Sequence, residues 1–97
     1  MMLFRDINKE LKAFLSTPGA VLADVREPDE FLSGHIPRAV NCPLSAIQSS
    51  GLPKDRPIFL YCLRGARSRR AESILRRMGY HVRSVGGISR YRGPLER

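Results

Sequence analysis

The sequence predicts an α/β fold: a small five-stranded, mostly parallel sheet flanked by helices on both faces. Short apolar runs alternate with segments in which apolar residues recur at helical spacing. Residues 58–61 are apolar throughout, as expected of a central strand that is covered on both faces. Strands separated by helices of this length favour parallel pairing. At 97 residues, we expect one domain that spans residues 1–97.

The first elements are a short strand over residues 3–5 and a helix directly after it. Asp6 is a suitable N-cap, because its side chain can accept hydrogen bonds from the first free N–H groups of the helix. The helix ends at the turn residues 17–19. We expect its buried face to consist of Ile7, Leu11, Phe14 and Leu15.

Two strands and a short helix follow. Residues 21–25 have the composition of a buried strand, and residues 39–41 that of a short one. Pro28 favours the first turn of a helix, since its missing N–H would have no partner there. This helix is predicted over residues 28–33, with Gly34 as its end.

The second half of the chain continues the alternation. A short helix over residues 45–50 precedes the strand at 58–61, and a longer helix begins near Ala66 and stops at Gly79. Residues 81–85 form the last predicted strand. The buried face of the long helix is expected to be Ala71, Ile74, Leu75 and Met78.

The motif that carries chemistry is CLRGARS, residues 62–68, at the junction of a strand and a helix. In an open parallel sheet, ligand sites lie beyond the carboxyl ends of the strands. A cysteine at a helix N-terminus beside cations such as Arg64 and Arg67 ionises readily, and the thiolate is the nucleophile. Gly65 permits a tight turn whose N–H groups point toward an anion. The alternative is that Cys62 is a small buried packing residue.

The charge balance points to anionic partners. Seventeen basic and nine acidic residues give a net charge of +8. Composition leaves nucleic acid, acidic proteins and small oxyanions open as partners. Arginines on and just before the long helix could neutralise nucleic-acid phosphates, but no aromatic residues are interleaved with them. Nucleic-acid binding is therefore the weaker alternative.

The two cysteines and the N-terminal sequence bear on location. Cys42 and Cys62 could form at most one disulfide, so a disulfide-framework scaffold is excluded and free thiols are expected. We interpret Cys42 as a packing residue. Charge at Arg5 and Asp6 interrupts any signal-peptide pattern, and no apolar window is long enough to span a membrane. The sequence predicts a soluble, cytoplasmic protein without membrane partners.

Three segments resemble motifs of the rhodanese family of sulfurtransferases. CLRGARS resembles the family's active-site loop, Cys-x-x-Gly-x-Arg followed by serine. DVREPDEFLSGHIPRAVNCPL, residues 24–44, is similar to its other signature, and Gly86-Gly87 resembles the glycine pair after its last strand. The motifs occur in the family's order. They extend from residue 24 to about residue 91.

The resemblance implies that Cys62 is the catalytic nucleophile. It would take the outer sulfur of an anionic sulfane-sulfur donor such as thiosulfate, form a persulfide, and pass the sulfur to cyanide, a small thiol or a thioredoxin-like acceptor. No metal and no cofactor are expected. The alternative is a persulfide carrier or regulatory module that acts on a partner protein in a sulfur relay. The expected substrate-binding residues are Leu63, Arg64, Gly65, Ala66 and Arg67.

Loop length separates this reaction from phosphate chemistry. Cysteine-based phosphatases need Cys-x5-Arg, because a phosphate must fit inside a larger ring of N–H groups. Here the sixth residue after Cys62 is Ser68, and the arginine comes one position earlier, at Arg67. The tighter loop suits a single sulfur atom.

Further residues are expected to support the site. Asp24 and Arg26 could form an ion pair beside the loop, and Ser68 follows it directly. His35 is expected to bond to backbone rather than to act as a base, since the mechanism needs no proton abstraction.

The sequence departs from the family pattern at two positions. Arg38 stands where the family usually has glycine, and Tyr91 where tryptophan is common. Arg38 is expected to add positive charge near the site, and Tyr91 to fill core space. These departures leave the substrate open.

Overall fold

A computed structural model, which describes residues 5–97, confirms the α/β class. No helix among these residues is long and apolar enough to cross a membrane. The three α-helices are α1 (Ile7–Leu15), α2 (Pro28–Ser33) and α3 (Ala66–Arg77). The four strands are β1 (Val21–Asp24), β2 (Val40–Asn41), β3 (Ile58–Cys62) and β4 (Val82–Gly87). Short 3₁₀ helices cover Leu44–Ser49 and Ile88–Arg90.

The sheet has the strand order β2-β1-β3-β4, and every pairing is parallel. Residues 5–97 contain four strands rather than the predicted five, because the strand expected over residues 3–5 falls mostly outside the described residues. All five residues of the central strand β3 are buried. Its apolar composition therefore reflects cover on both faces, as predicted.

Side chains of β3 alternate between two apolar clusters. Ile58, Leu60 and Cys62 pack in the cluster that contains α3 residues, whereas Phe59 and Tyr61 pack in the one that contains α1 residues. Alternation is the rule for an extended strand. It places the Cys62 side chain on the α3 face of the sheet.

The helix ends predicted from the sequence agree with those in the structure. Asp6 caps α1 by accepting a hydrogen bond from the Asn8 N–H at 3.0 Å. The α2 bounds agree with prediction, and α3 begins at Ala66 as predicted. The short helix predicted over 45–50 is the 3₁₀ helix Leu44–Ser49. The expectation that Leu15 is buried is wrong: it is 64% exposed, because Phe14 rather than Leu15 turns toward the sheet and packs against Phe59.

The carboxyl ends of three strands meet at one edge of the sheet. Asp24 is in register with Tyr61, and Cys62 is in register with Gly87. The segments that follow β1, β3 and β4 are therefore neighbours at this edge, which is where ligand sites of parallel sheets form.

Arg38 adopts an unfavourable backbone conformation. Its φ is +76°, and it is the one non-glycine residue among residues 5–97 with positive φ. Its guanidinium lies 5.1 Å from the centre of the Phe14 ring, which belongs to the α1 cluster. The expectation that Arg38 adds positive charge near Cys62 is therefore wrong, because Arg38 lies against the opposite face of the sheet.

We predict that Arg38→Gly is more stable than Arg38→Ala by about 1 kcal/mol. Both variants lose the contact with Phe14, but glycine alone adopts positive φ without strain. Urea unfolding of the two variants measures the difference. Equal stabilities would contradict the assigned backbone conformation.

Candidate active site

Two backbone N–H groups are directed at the sulfur of Cys62. The Gly65 N–H donates to Sγ at 3.0 Å and the Ser68 N–H at 3.4 Å. Donors that converge on one atom favour negative charge there. Gly65 belongs to the predicted substrate-binding loop 63–67, whereas Ser68 directly follows it.

Cys62 itself is buried, with 1% of its surface exposed. A packing role and a chemical role for Cys62 are therefore compatible. Its side chain packs against α3, and its sulfur also accepts hydrogen bonds from two N–H groups. The sulfur is enclosed by its own loop.

Gly65 makes the turn possible. Its φ is +109°, a left-handed conformation that side chains rarely adopt. This residue caps α3, so the positive end of that helix faces the sulfur. The tight turn predicted at this glycine is present.

Two buried hydroxyl groups adjoin the thiol. The Ser68 Oγ lies 3.7 Å from the Cys62 Sγ and 2.7 Å from the Ser84 Oγ, and it donates to the Gly65 carbonyl at 3.1 Å. Ser68 therefore contacts the sulfur through both its N–H and its hydroxyl group. Sequence reasoning missed Ser84. The alternation of β4 could have indicated it, because Arg83 is exposed whereas Val82 and Ser84, on either side of it, are buried.

Gly87 brings β4 against the loop. A Cβ at this position would clash with the Leu63 carbonyl oxygen and would lie 2.6 Å from the Arg64 Cα. The Ser89 N–H also donates to the Leu63 carbonyl at 3.0 Å. The second glycine of the predicted pair at 86–87 therefore lets β4 pack directly against the loop.

Arg67 forms a bidentate ion pair with Glu30. The two nitrogen–oxygen distances are 2.6 and 3.0 Å, so the pair ties α3 to α2. The hydrogen bonds from Arg67 lower the pKa of Glu30 to about 2, and Glu30 raises the pKa of Arg67. The resemblance implies that Arg67 binds the substrate. In the structure its charge is already paired, with a residue that sequence reasoning missed.

Asp24 and Arg26 form the predicted ion pair. Arg26 Nη2 lies 2.7 Å from Asp24 Oδ2, and both residues are buried. Arg26 also donates to the Gly34 carbonyl at 2.7 Å. Burial opposes the charge of Arg26, but the Asp24 carboxylate outweighs it and raises the pKa of Arg26. Asn41 donates to the carbonyls of both residues and fixes this turn.

Arg64 differs from the other two arginines. It is exposed, and its guanidinium forms no ion pair within the part of the chain that the structure describes. It lines a cavity of about 320 Å³ together with Arg5, Arg90 and Ser89. Ala66 occupies the first turn of α3 and is also exposed.

Two other titratable residues have structural roles. The His35 ring lies 3.0 Å from the Phe31 carbonyl and stacks on the Phe31 ring, which confirms that it bonds to backbone. Cys42 is buried in the α3-side cluster, as predicted, and burial raises the pKa of its thiol. Both cysteines are free thiols.

The Glu30–Arg67 pair makes stability depend on pH. Its carboxylate has a pKa of about 2 in the folded chain against an ordinary 4.5, so the pair stabilises above pH 4.5 and this is lost as pH falls toward 2. We predict that Glu30→Gln is about 1 kcal/mol less stable than wild type at pH 7. The difference should shrink between pH 4.5 and 2.

Urea unfolding across this pH range measures the difference. Arg67→Gln removes the same pair from the other side and serves as the matched variant. A stability difference that stays constant down to pH 2 would contradict the pairing.

Gly87→Ala should destabilise the protein by about 2 kcal/mol, because the added methyl group overlaps the backbone of the loop. The control is Gly51→Ala, where φ is +72° but no atom lies within 4 Å of the new Cβ. This variant should lose about 1 kcal/mol through backbone strain alone. Thermal or urea unfolding that ranks Gly51→Ala as the more damaging change would refute the close packing of Gly87.

Comparison with known proteins agrees with this geometry. Residues 8–93 match the family model described as "Rhodanese-like domain". The uncharacterized protein YqhL of Bacillus subtilis is 40% identical over 83 residues, which cover 79% of this chain and 64% of that protein. The thiosulfate sulfurtransferase PspE of Escherichia coli is 36% identical over 70 residues, or 67% of each chain.

A solved structure shares the fold. The rhodanese-related protein from Thermoplasma volcanium superposes with a TM-score of 0.75 at 29% identity, and the match covers 94% of this chain and 91% of that one. The chain spans about two thirds of the length of the two curated relatives. The family model extends over the sulfur loop, the Asp24–Arg26 turn and the glycine pair. The chain therefore belongs to the rhodanese-like domain family.

Proposed function

We propose that the protein is a sulfurtransferase that moves a sulfane sulfur from an anionic donor such as thiosulfate to a thiol or cyanide. The observation that carries this proposal is the pair of N–H groups directed at the Cys62 sulfur. The similarity to a thiosulfate sulfurtransferase supports it.

The chemistry is a double displacement through a covalent intermediate. The Cys62 thiolate attacks the outer sulfur of thiosulfate, the sulfur–sulfur bond of the donor breaks, and sulfite leaves with the bonding electrons. An acceptor then attacks the outer sulfur of the Cys62 persulfide, and the Cys62 thiolate leaves. No net oxidation occurs, and neither step requires a general base.

The loop residues have distinct roles in this reaction. The N–H groups of Gly65 and Ser68 stabilise the charge on the thiolate and on the persulfide. Arg64, which is exposed and without an ion-pair partner in residues 5–97, attracts the anionic donor. Arg67 holds α3 in position through its ion pair with Glu30, and its positive charge acts on the sulfur loop without direct contact.

Access to the sulfur requires movement. Because Cys62 is 1% exposed, the donor can reach Sγ only when the loop side chains move aside. We therefore expect loop opening to limit the rate of loading. The free thiols of Cys42 and Cys62 suit the reducing cytoplasm as the working compartment.

A specific observation favours a second candidate, a persulfide carrier that discharges to a partner protein. The cavity lined by Arg5, Arg64 and Arg90 adjoins the sulfur loop and is strongly basic. It fits an acidic surface next to the acceptor thiol of a partner. Fast discharge to one protein and slow discharge to every small acceptor would favour this candidate over a general thiosulfate sulfurtransferase.

The persulfide tests the proposed chemistry directly. Incubation with thiosulfate, without reducing agent, should add the mass of one sulfur atom to the intact protein. The Cys62→Ser variant should show no addition, while Cys42→Ser should load like wild type. Absence of the adduct on wild-type protein, or its persistence in Cys62→Ser, would refute the assignment.

A further inference from the structure

A second cavity lies on the face of the sheet opposite to Cys62. It has a volume of about 350 Å³ and is bounded by α1, the segment 36–38 and the C-terminal residues 91 and 93. This volume is within the range of small-molecule sites. Its apolar lining residues are Leu11, Phe14, Leu15, Leu22, Ile36, Pro37 and Tyr91.

The charged residues of this cavity all carry one sign. Lys12 and Arg38 are exposed residues of its lining, and no acidic residue lines it. Neither cation has an ion-pair partner within residues 5–97. An apolar interior with two unpaired cations at its exposed side is complementary to a ligand with an apolar body and one anionic group.

A turn places Arg38 at the cavity. The Ala39 N–H donates to the Ile36 carbonyl at 3.1 Å, and this turn has Arg38 as its third residue, with φ of +76°. The Arg38 guanidinium lies over the Phe14 ring, which lines the cavity. A glycine would relieve the strain but would leave the cavity without this cation.

The hydrogen bonding of Tyr91 limits which residues can bind the polar group of a ligand. Its hydroxyl donates to the Pro94 carbonyl at 2.9 Å, so the tyrosine contributes its ring rather than a free hydroxyl to the cavity. The Asn8 side chain, which also lines the cavity, is bonded to the Arg90 carbonyl and the Arg92 N–H. Recognition of a polar group therefore falls to Lys12 and Arg38. Both favour a carboxylate or sulfonate.

We propose that this cavity binds a small amphipathic anion, an aromatic or branched aliphatic carboxylate or sulfonate. Its apolar body packs against Phe14 and Tyr91, and its anionic group pairs with Arg38 and Lys12. The site lies on the sheet face opposite to Cys62, so it does not depend on the proposed sulfur transfer.

The test uses two fluorescent probes that differ by one charge. The anion 8-anilinonaphthalene-1-sulfonate should bind saturably with one site per chain. The neutral N-phenyl-1-naphthylamine, which lacks the sulfonate, should bind at least tenfold more weakly. Equal affinity for the two probes, or no saturable binding of the sulfonate, would overturn the proposal.

Matched variants assign the binding to this cavity. Arg38→Gly should weaken the sulfonate about tenfold and leave the neutral probe unchanged. Arg70→Gln, which removes one exposed charge on α3, should leave both affinities as in wild type. Equal losses in the two variants would show a general charge effect and refute the site. Circular dichroism confirms that each variant is folded.

Location and alternative occupants are decided by two further measurements. Amide resonances of α1 and of residues 36–38 should shift on addition of the sulfonate, and shifts confined to other residues would refute the assignment. Sedimentation with and without the probe tests whether a second copy of the chain fills the cavity. A dimer that the probe dissociates would assign the cavity to self-association instead.

Discussion

The hydrogen bonds from Gly65 and Ser68 to the Cys62 sulfur are the constraint on which the rest of the site depends. For both N–H groups to reach one atom, the chain must reverse within three residues after β3, and positive φ at Gly65 permits this. The reversed loop then needs space against β4, which the missing side chain of Gly87 provides. Gly65 is thus required for its positive φ, and Gly87 for its lack of a side chain.

The arginines at and beside the sulfur loop divide into two groups by their surroundings. Arg26 and Arg67 are bound to Asp24 and Glu30, and they hold together the elements that surround the loop. Arg64 is exposed and without a carboxylate partner in the part of the chain described here, and so it contributes to the field that an anionic donor meets. The net charge of +8 alone does not distinguish these roles.

Local features of the fold could be predicted from the sequence, whereas distant pairings could not. The apolar run 58–61 and Gly65 define the end of β3 and the start of α3, because both signals are local. Glu30 lies 37 residues from Arg67, so no spacing rule connects them. Arg38 was misplaced for the same reason, since its position depends on packing against Phe14. The enclosure of Cys62 depends on α3 and β4 together.

Hydrogen exchange at two amides tests the central claim most directly. The Gly65 and Ser68 N–H groups use the sulfur as acceptor, and Ser68 lies in the first turn of α3, where N–H groups lack partners within the helix. In Cys62→Ala these two amides should exchange much faster than in wild type, while amides in the middle of α3 keep their protection. Unchanged exchange at both amides would contradict the account.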